Sequence, residues 1–105
     1  MKHHDEKQSY ELASAALSLS EALLCLETPE EIRAFLEDLC TPAEIEAMVD
    51  RWRVVQLLNN GMSYREISER TEVSVTTIGR VARFMDMGRG GYRMALNRLQ
   101  ARAER

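Results

Sequence analysis

SYREISERTEVSVTTIGRVARF, residues 63–84, parses into two short helices joined by a tight turn. Ser63 is placed to cap the first helix, with Glu66 three residues on to close a capping box. Ile67 faces inward from a segment that is otherwise polar. Thr71, Glu72 and Val73 supply a connection of the length that a helix-turn-helix uses. Ser74 is placed to cap the second helix, where Val75, Ile78, Val81, Ala82 and Met85 recur at helical rather than strand period. The rest of that helix, Thr76, Thr77, Gly79, Arg80 and Arg83, contains no acid. Small hydroxyls near its start and arginines further along suit a helix laid in a DNA major groove. A plain helical hairpin with a solvated face would show the same apolar pattern. Capping, turn length and charge placement falling together favour the DNA reading.

Upstream, Thr41-Pro42-Ala43-Glu44 is a helix start: a capping hydroxyl, a proline where no N–H is needed, and a carboxylate to close the box. The helix it opens runs to about Asn59, with Ile45, Met48, Val49, Trp52, Val55 and Leu58 as its inner stripe. Asn60-Gly61 ends it, since both residues tolerate the left-handed conformation. Thr28-Pro29-Glu30-Glu31 is a second start of the same kind, for a helix carrying Ile32, Ala34, Phe35, Leu36 and Leu39. The first helix is expected from about Tyr10 to Leu26. Its leucines and alanines cover most of the circumference, so it must be buried on more than one side. A monomer of 105 residues has little core in which to do that, and an interlocked homodimer is the economical solution. Downstream, Gly88, Gly90 and Gly91 read as a flexible joint, and Tyr92, Ala95, Leu96 and Leu99 place a short last helix. The expected architecture is all-α with six helices: a flexible N-terminal tail at 1–9, then a single helical domain at 10–105 with its helix-turn-helix at 63–85.

Hydrophobic residues make up 45% of the chain and aromatic ones 6%, which describes a Leu/Ala/Met-filled helical protein. No apolar run approaches the roughly 20 residues of a membrane span. The N-terminus MKHHDEKQ lacks the apolar stretch of a signal peptide. A cytoplasmic protein with no membrane contact is expected. Cys25 and Cys40, in apolar surroundings and without CxxC spacing, read as reduced, buried small hydrophobes. His3 and His4 stand in the polar tail, and no spacing among these four residues suits a metal, so neither metal nor cofactor is expected. No nucleophile–base arrangement is legible, so no enzyme is expected either.

The net charge of −3 taken alone speaks against a nucleic-acid partner. Its distribution reverses that. Residues 1–75 hold seven Lys/Arg against fifteen Asp/Glu, whereas residues 76–105 hold seven Arg against Asp86 and Glu104. Such a split suggests one surface that meets a polyanion. A basic C-terminal helix that neutralises acidic helices within the molecule is the other way to use it.

TPAEIEAMVDRWRVVQLLNNGMSYREISERTEVSVTTIGRV, residues 41–81, resembles the core of the Trp repressor superfamily. FLEDLCT at 35–41, Arg51, GMSYREI at 61–67, VTTIGRV at 75–81 and GRGGY at 88–92 are similar to its YerC/YecD branch. The resemblance covers about residues 12–99. It implies an intertwined homodimer that presents two helix-turn-helix units to double-stranded DNA, and a transcription regulator of the repressor kind. On that resemblance the DNA-binding residues are Arg65, which matches a phosphate-contacting position, and Ser74, Val75, Thr76, Thr77, Gly79, Arg80 and Arg83. Gly79 departs from the family, which usually has Ser or Thr there. Glycine costs a helix about 1 kcal/mol relative to alanine and removes a hydroxyl from the face expected to meet DNA.

Arg51 and Arg80 match the two arginines that sandwich an indole ring in Trp repressors, so Arg51, Thr77 and Arg80 are the candidate ligand residues. The same arginines could instead pair with acids such as Glu44 or Asp50, or meet phosphate. Val81 stands where Trp repressors have a glycine that leaves room for the ligand, and Phe84 where a serine helps hold it. The expectation is a pocket closed by Phe84, with Trp52 filling it further, and DNA binding without tryptophan as corepressor. The alternative function is a helical dimeric interaction module that retains the fold but does not read DNA.

Overall fold

The computed structural model describes residues 6–104. The described residues form six helices: α1 (Glu6–Leu24), α2 (Pro29–Leu39), α3 (Pro42–Asn59), α4 (Tyr64–Thr71), α5 (Val75–Met87) and α6 (Gly91–Ala103). They fall into two compact units, one ending at Thr41 and the other beginning at Pro42.

In the first unit, α1 starts at Glu6 rather than Tyr10. The segment EKQS continues the helix upstream at little propensity cost, and Glu6 in the first turn suits the positive end of the helix dipole. Of the expected tail at 1–9, residues 6–9 are therefore helical, and 1–5, with His3 and His4, lie outside the described residues. The start of α2 follows its capping signal. Thr28 Oγ1 accepts the Glu31 N–H at 3.1 Å. The Glu31 carboxylate accepts from the Glu27 N–H at 2.8 Å, so the box closes one residue ahead of the cap. Neither helix of this unit has a buried residue. Leu17 is 62% exposed and Leu24 85%. Cys25 is exposed and Cys40 half-buried, both as free thiols, so the expectation of two buried cysteines is not met. Cys25 falls just past the end of α1.

The second unit holds the core. Val54, Val55, Ile67, Val73, Ile78, Val81 and Met85 are buried where α3, α4 and α5 pack on one another, with Trp52, Leu57, Leu58, Met62, Tyr92 and Leu96 around them. Burying one such side chain fully is worth about 1.5–3 kcal/mol. The inner stripe of α3 differs from the expected one. Val54 is fully buried beside Val55, whereas Met48 and Val49 are exposed, because α4 and α5 wrap only the C-terminal half of α3. The Trp52 and Tyr92 rings stand 6.4 Å apart at a tilt of 38°. Residues 88–90 form a defined turn in place of an open joint: Gly88 donates its N–H to Phe84 O at 3.0 Å, and Gly90 opens α6 in the left-handed region. Among the described residues, no helix is long and apolar enough to cross a membrane.

Candidate nucleic-acid interface

The two helices of the 63–85 segment are set by their caps. Ser63 Oγ accepts the Glu66 N–H at 3.2 Å and donates to the Glu66 carboxylate at 3.0 Å. The reciprocal contact of the box thus runs through the hydroxyl rather than the cap's own N–H. Ser74 does the same for α5: it accepts the Thr77 N–H at 3.2 Å and donates to Thr77 Oγ1 at 3.0 Å. Between the helices, Glu72 adopts φ 65° and ψ 9°, and its N–H donates to Ser68 O at 2.9 Å. The Thr71 hydroxyl donates to Ile67 O at 2.7 Å and accepts the Val73 N–H at 3.1 Å. That tie turns Val73 inward, so a residue expected to be mere connection belongs to the core.

These caps fix the rotation of α5. Ile78, Val81 and Met85 face the core. Thr76, Thr77, Gly79, Arg80, Arg83, Phe84 and Met87 line an open groove of about 620 Å³ along the helix. Five of the expected DNA-contacting residues, Thr76, Thr77, Gly79, Arg80 and Arg83, therefore share one face. Ser74 sits at the head of that helix as its cap. Val75, expected on the apolar side, is 54% exposed, because it stands to one side of the face that Ile78, Val81 and Met85 bury. Arg65 projects from α4 with its side chain exposed, paired to Glu69 at 3.2 Å. An exposed pair of this kind is worth under about 1 kcal/mol and is easily exchanged for a phosphate. Asp86, the acid on α5, is paired with Arg93 of α6 at 3.5 Å, which leaves the groove without an unanswered negative charge.

Sequence reasoning missed Met87 and Tyr64 at this surface. Met87 could have been found, since it continues the stripe of Thr76, Arg80 and Arg83 at helical spacing. Tyr64 could not: it reaches α5 from another helix.

Arg51 and Arg80 are also brought together. With Val81, Phe84 and Tyr92 they line a cavity of about 340 Å³. Thr77 is not part of this lining and belongs to the groove of α5. The expected closure is not seen: Phe84 is half-exposed and lines the cavity rather than filling it, while Trp52 packs against the core. No ion pair of Arg51 or Arg80 is seen among the described residues.

The family model described as Trp repressor protein matches residues 14–100, most of the chain. The chain belongs to the Trp repressor family. Members of the Trp repressor family are regulators and not enzymes, and the chain is one of them. It is 38% identical over 82 residues to the uncharacterized protein YerC of Bacillus subtilis, an alignment spanning 78% of this chain and 79% of that one. It is 36% identical over 62 residues to a Trp operon repressor homolog of Xylella fastidiosa, spanning 57% of this chain and 67% of that one. A TrpR-like protein from Eubacterium eligens has a similar crystal structure. Its TM-score is 0.78 at 36% identity, over 83% of this chain and 90% of that one.

Proposed function

We propose that this Trp repressor family member is a sequence-specific, cytoplasmic DNA-binding regulator of the repressor kind, acting as a homodimer. The observation that carries this reading is the face of α5. Thr76, Arg80 and Arg83 stand in one open groove with no unpaired carboxylate, on a helix oriented by its Ser74 cap and its buried Ile78, Val81 and Met85. Small polar groups there suit base edges, and the guanidiniums suit guanine or phosphate. Arg65 on α4 grips the phosphate backbone, the usual task of the helix that crosses it. The bare apolar surface of α1 and α2 supports pairing with a second copy.

DNA binding by this protein needs no tryptophan. The cavity between Arg51 and Arg80 is lined by two guanidiniums, two aromatic rings and a valine, with no carboxylate. A free amino acid would bring its ammonium group into a positive site, and a buried charge left unpaired costs several kcal/mol.

Selection of genomic fragments by the purified protein, without added amino acid, tests the reading. The expected product is a near-palindrome whose half-sites lie about one DNA turn apart, roughly 34 Å. Thr76→Ala should change base preference within it. Failure to enrich any sequence would favour the interaction-module alternative. Enrichment only in the presence of tryptophan would restore Arg51 and Arg80 as a corepressor clamp.

A further inference from the structure

Tyr64 is the first residue of α4, directly after its cap Ser63, and is 42% exposed. A Cβ built on Gly79 would stand 3.9 Å from Tyr64 Cε2, an ordinary contact distance. The phenol ring therefore lies against the one position of the α5 groove that presents no side chain, among Thr76, Arg80 and Arg83. Cε2 is bonded to the carbon that carries the hydroxyl, so the hydroxyl lies close to the Gly79 position of the groove. That hydroxyl enters no hydrogen bond among the described residues.

We propose that Tyr64 is a specificity-determining residue of the DNA interface, its phenol standing over Gly79 in the place that a polar side chain on α5 would otherwise hold. The inference rests on the DNA-reading role proposed above. A phenol hydroxyl can both donate and accept, so it can pair with a base edge of either kind. The ring has few torsions to freeze and rests on a helix backbone, so it reaches the groove already positioned. Gly79 and Tyr64 act as a pair: the missing side chain on one helix makes room for the reading group from the other.

The test begins with the duplex that the wild-type protein prefers from a random pool. Tyr64→Phe and Tyr64→Ala are then measured on that duplex, on its single base-pair variants and on an unrelated duplex, with circular dichroism to verify the fold. Tyr64→Phe keeps the ring and removes only the hydroxyl. It should weaken the preferred duplex about ten-fold, leave the unrelated duplex unchanged, and erase discrimination at one base pair in each half-site. Unchanged affinity and preference in Tyr64→Phe would overturn the proposal and reduce the ring to packing. Equal loss on every duplex would also overturn it, by making Tyr64 a phosphate contact. A wild-type protein with no sequence preference would defeat the DNA-reading role itself, whereas a preference that Tyr64→Phe leaves intact defeats this inference alone.

Discussion

Glu72 holds a left-handed conformation at φ 65°, which an L side chain adopts at a cost of about 1–2 kcal/mol. The turn between α4 and α5 tolerates it because Thr71 and Val73 bind the chain on either side. Glu72→Gly should therefore stabilise the protein by about 1 kcal/mol, read as a higher denaturation midpoint at fixed protein concentration. Two glycines separate under the same measurement. At Gly79 an added Cβ meets only an ordinary contact, so Gly79→Ala should stabilise by about 1 kcal/mol through helix propensity. At Gly88 the added Cβ would stand 2.3 Å from Phe84 O. The main chain must move to admit it, and Gly88→Ala should destabilise by about 1–3 kcal/mol. If the two alanine variants shifted alike, the close approach at Gly88 would not exist in solution. Nothing in GRGGY distinguishes a glycine that is needed for space from one that is not. The difference depends on which carbonyl lies opposite, and only the folded chain sets that.

At the scale of the element, the sequence was most legible where capping chemistry is written into it. Thr28-Pro29, Thr41-Pro42, Ser63 and Ser74 mark the starts of α2, α3, α4 and α5 to the residue, because each offers a hydroxyl or a missing N–H where the helix needs one. The apolar periodicity of α1 begins later than the helix does, so periodicity alone does not mark its start at Glu6. Periodicity names an apolar face but not what covers it. Met48 and Val49 keep the spacing of a core stripe yet stay exposed, as do Leu12 and Leu17 of α1. If a second copy covers α1, Leu12→Glu combined with Leu17→Glu should dissociate it. Sedimentation at low micromolar concentration should then show the double variant at the 12.0 kDa chain mass and the wild type at twice that. A wild-type protein sedimenting folded at the chain mass would sink the dimer.

On the scale of the whole molecule, attraction to DNA has to be local, since the net charge is −3. Each phosphate contact contributes about 0.9 to the slope of log affinity against log salt. Arg65→Ala should therefore flatten that slope by about two for a dimer and weaken all sequences alike. A change of base preference in Arg65→Ala would mean that α4, and not α5 alone, reads the bases. The candidate site was legible because α4 and α5 adjoin in sequence. The Arg51–Arg80 cavity was legible only through resemblance, and its open state not at all, because whether Phe84 fills a space depends on a rotation the sequence does not record. The division of burial has a consequence for how the protein is made. The ribosome delivers α1 and α2 first, and neither has a buried residue of its own. The seven residues that close the core all lie between Val54 and Met85, so they follow α1 and α2. If a second copy is what covers α1 and α2, neighbouring chains on one messenger are the nearest source of that copy, before either has completed its core.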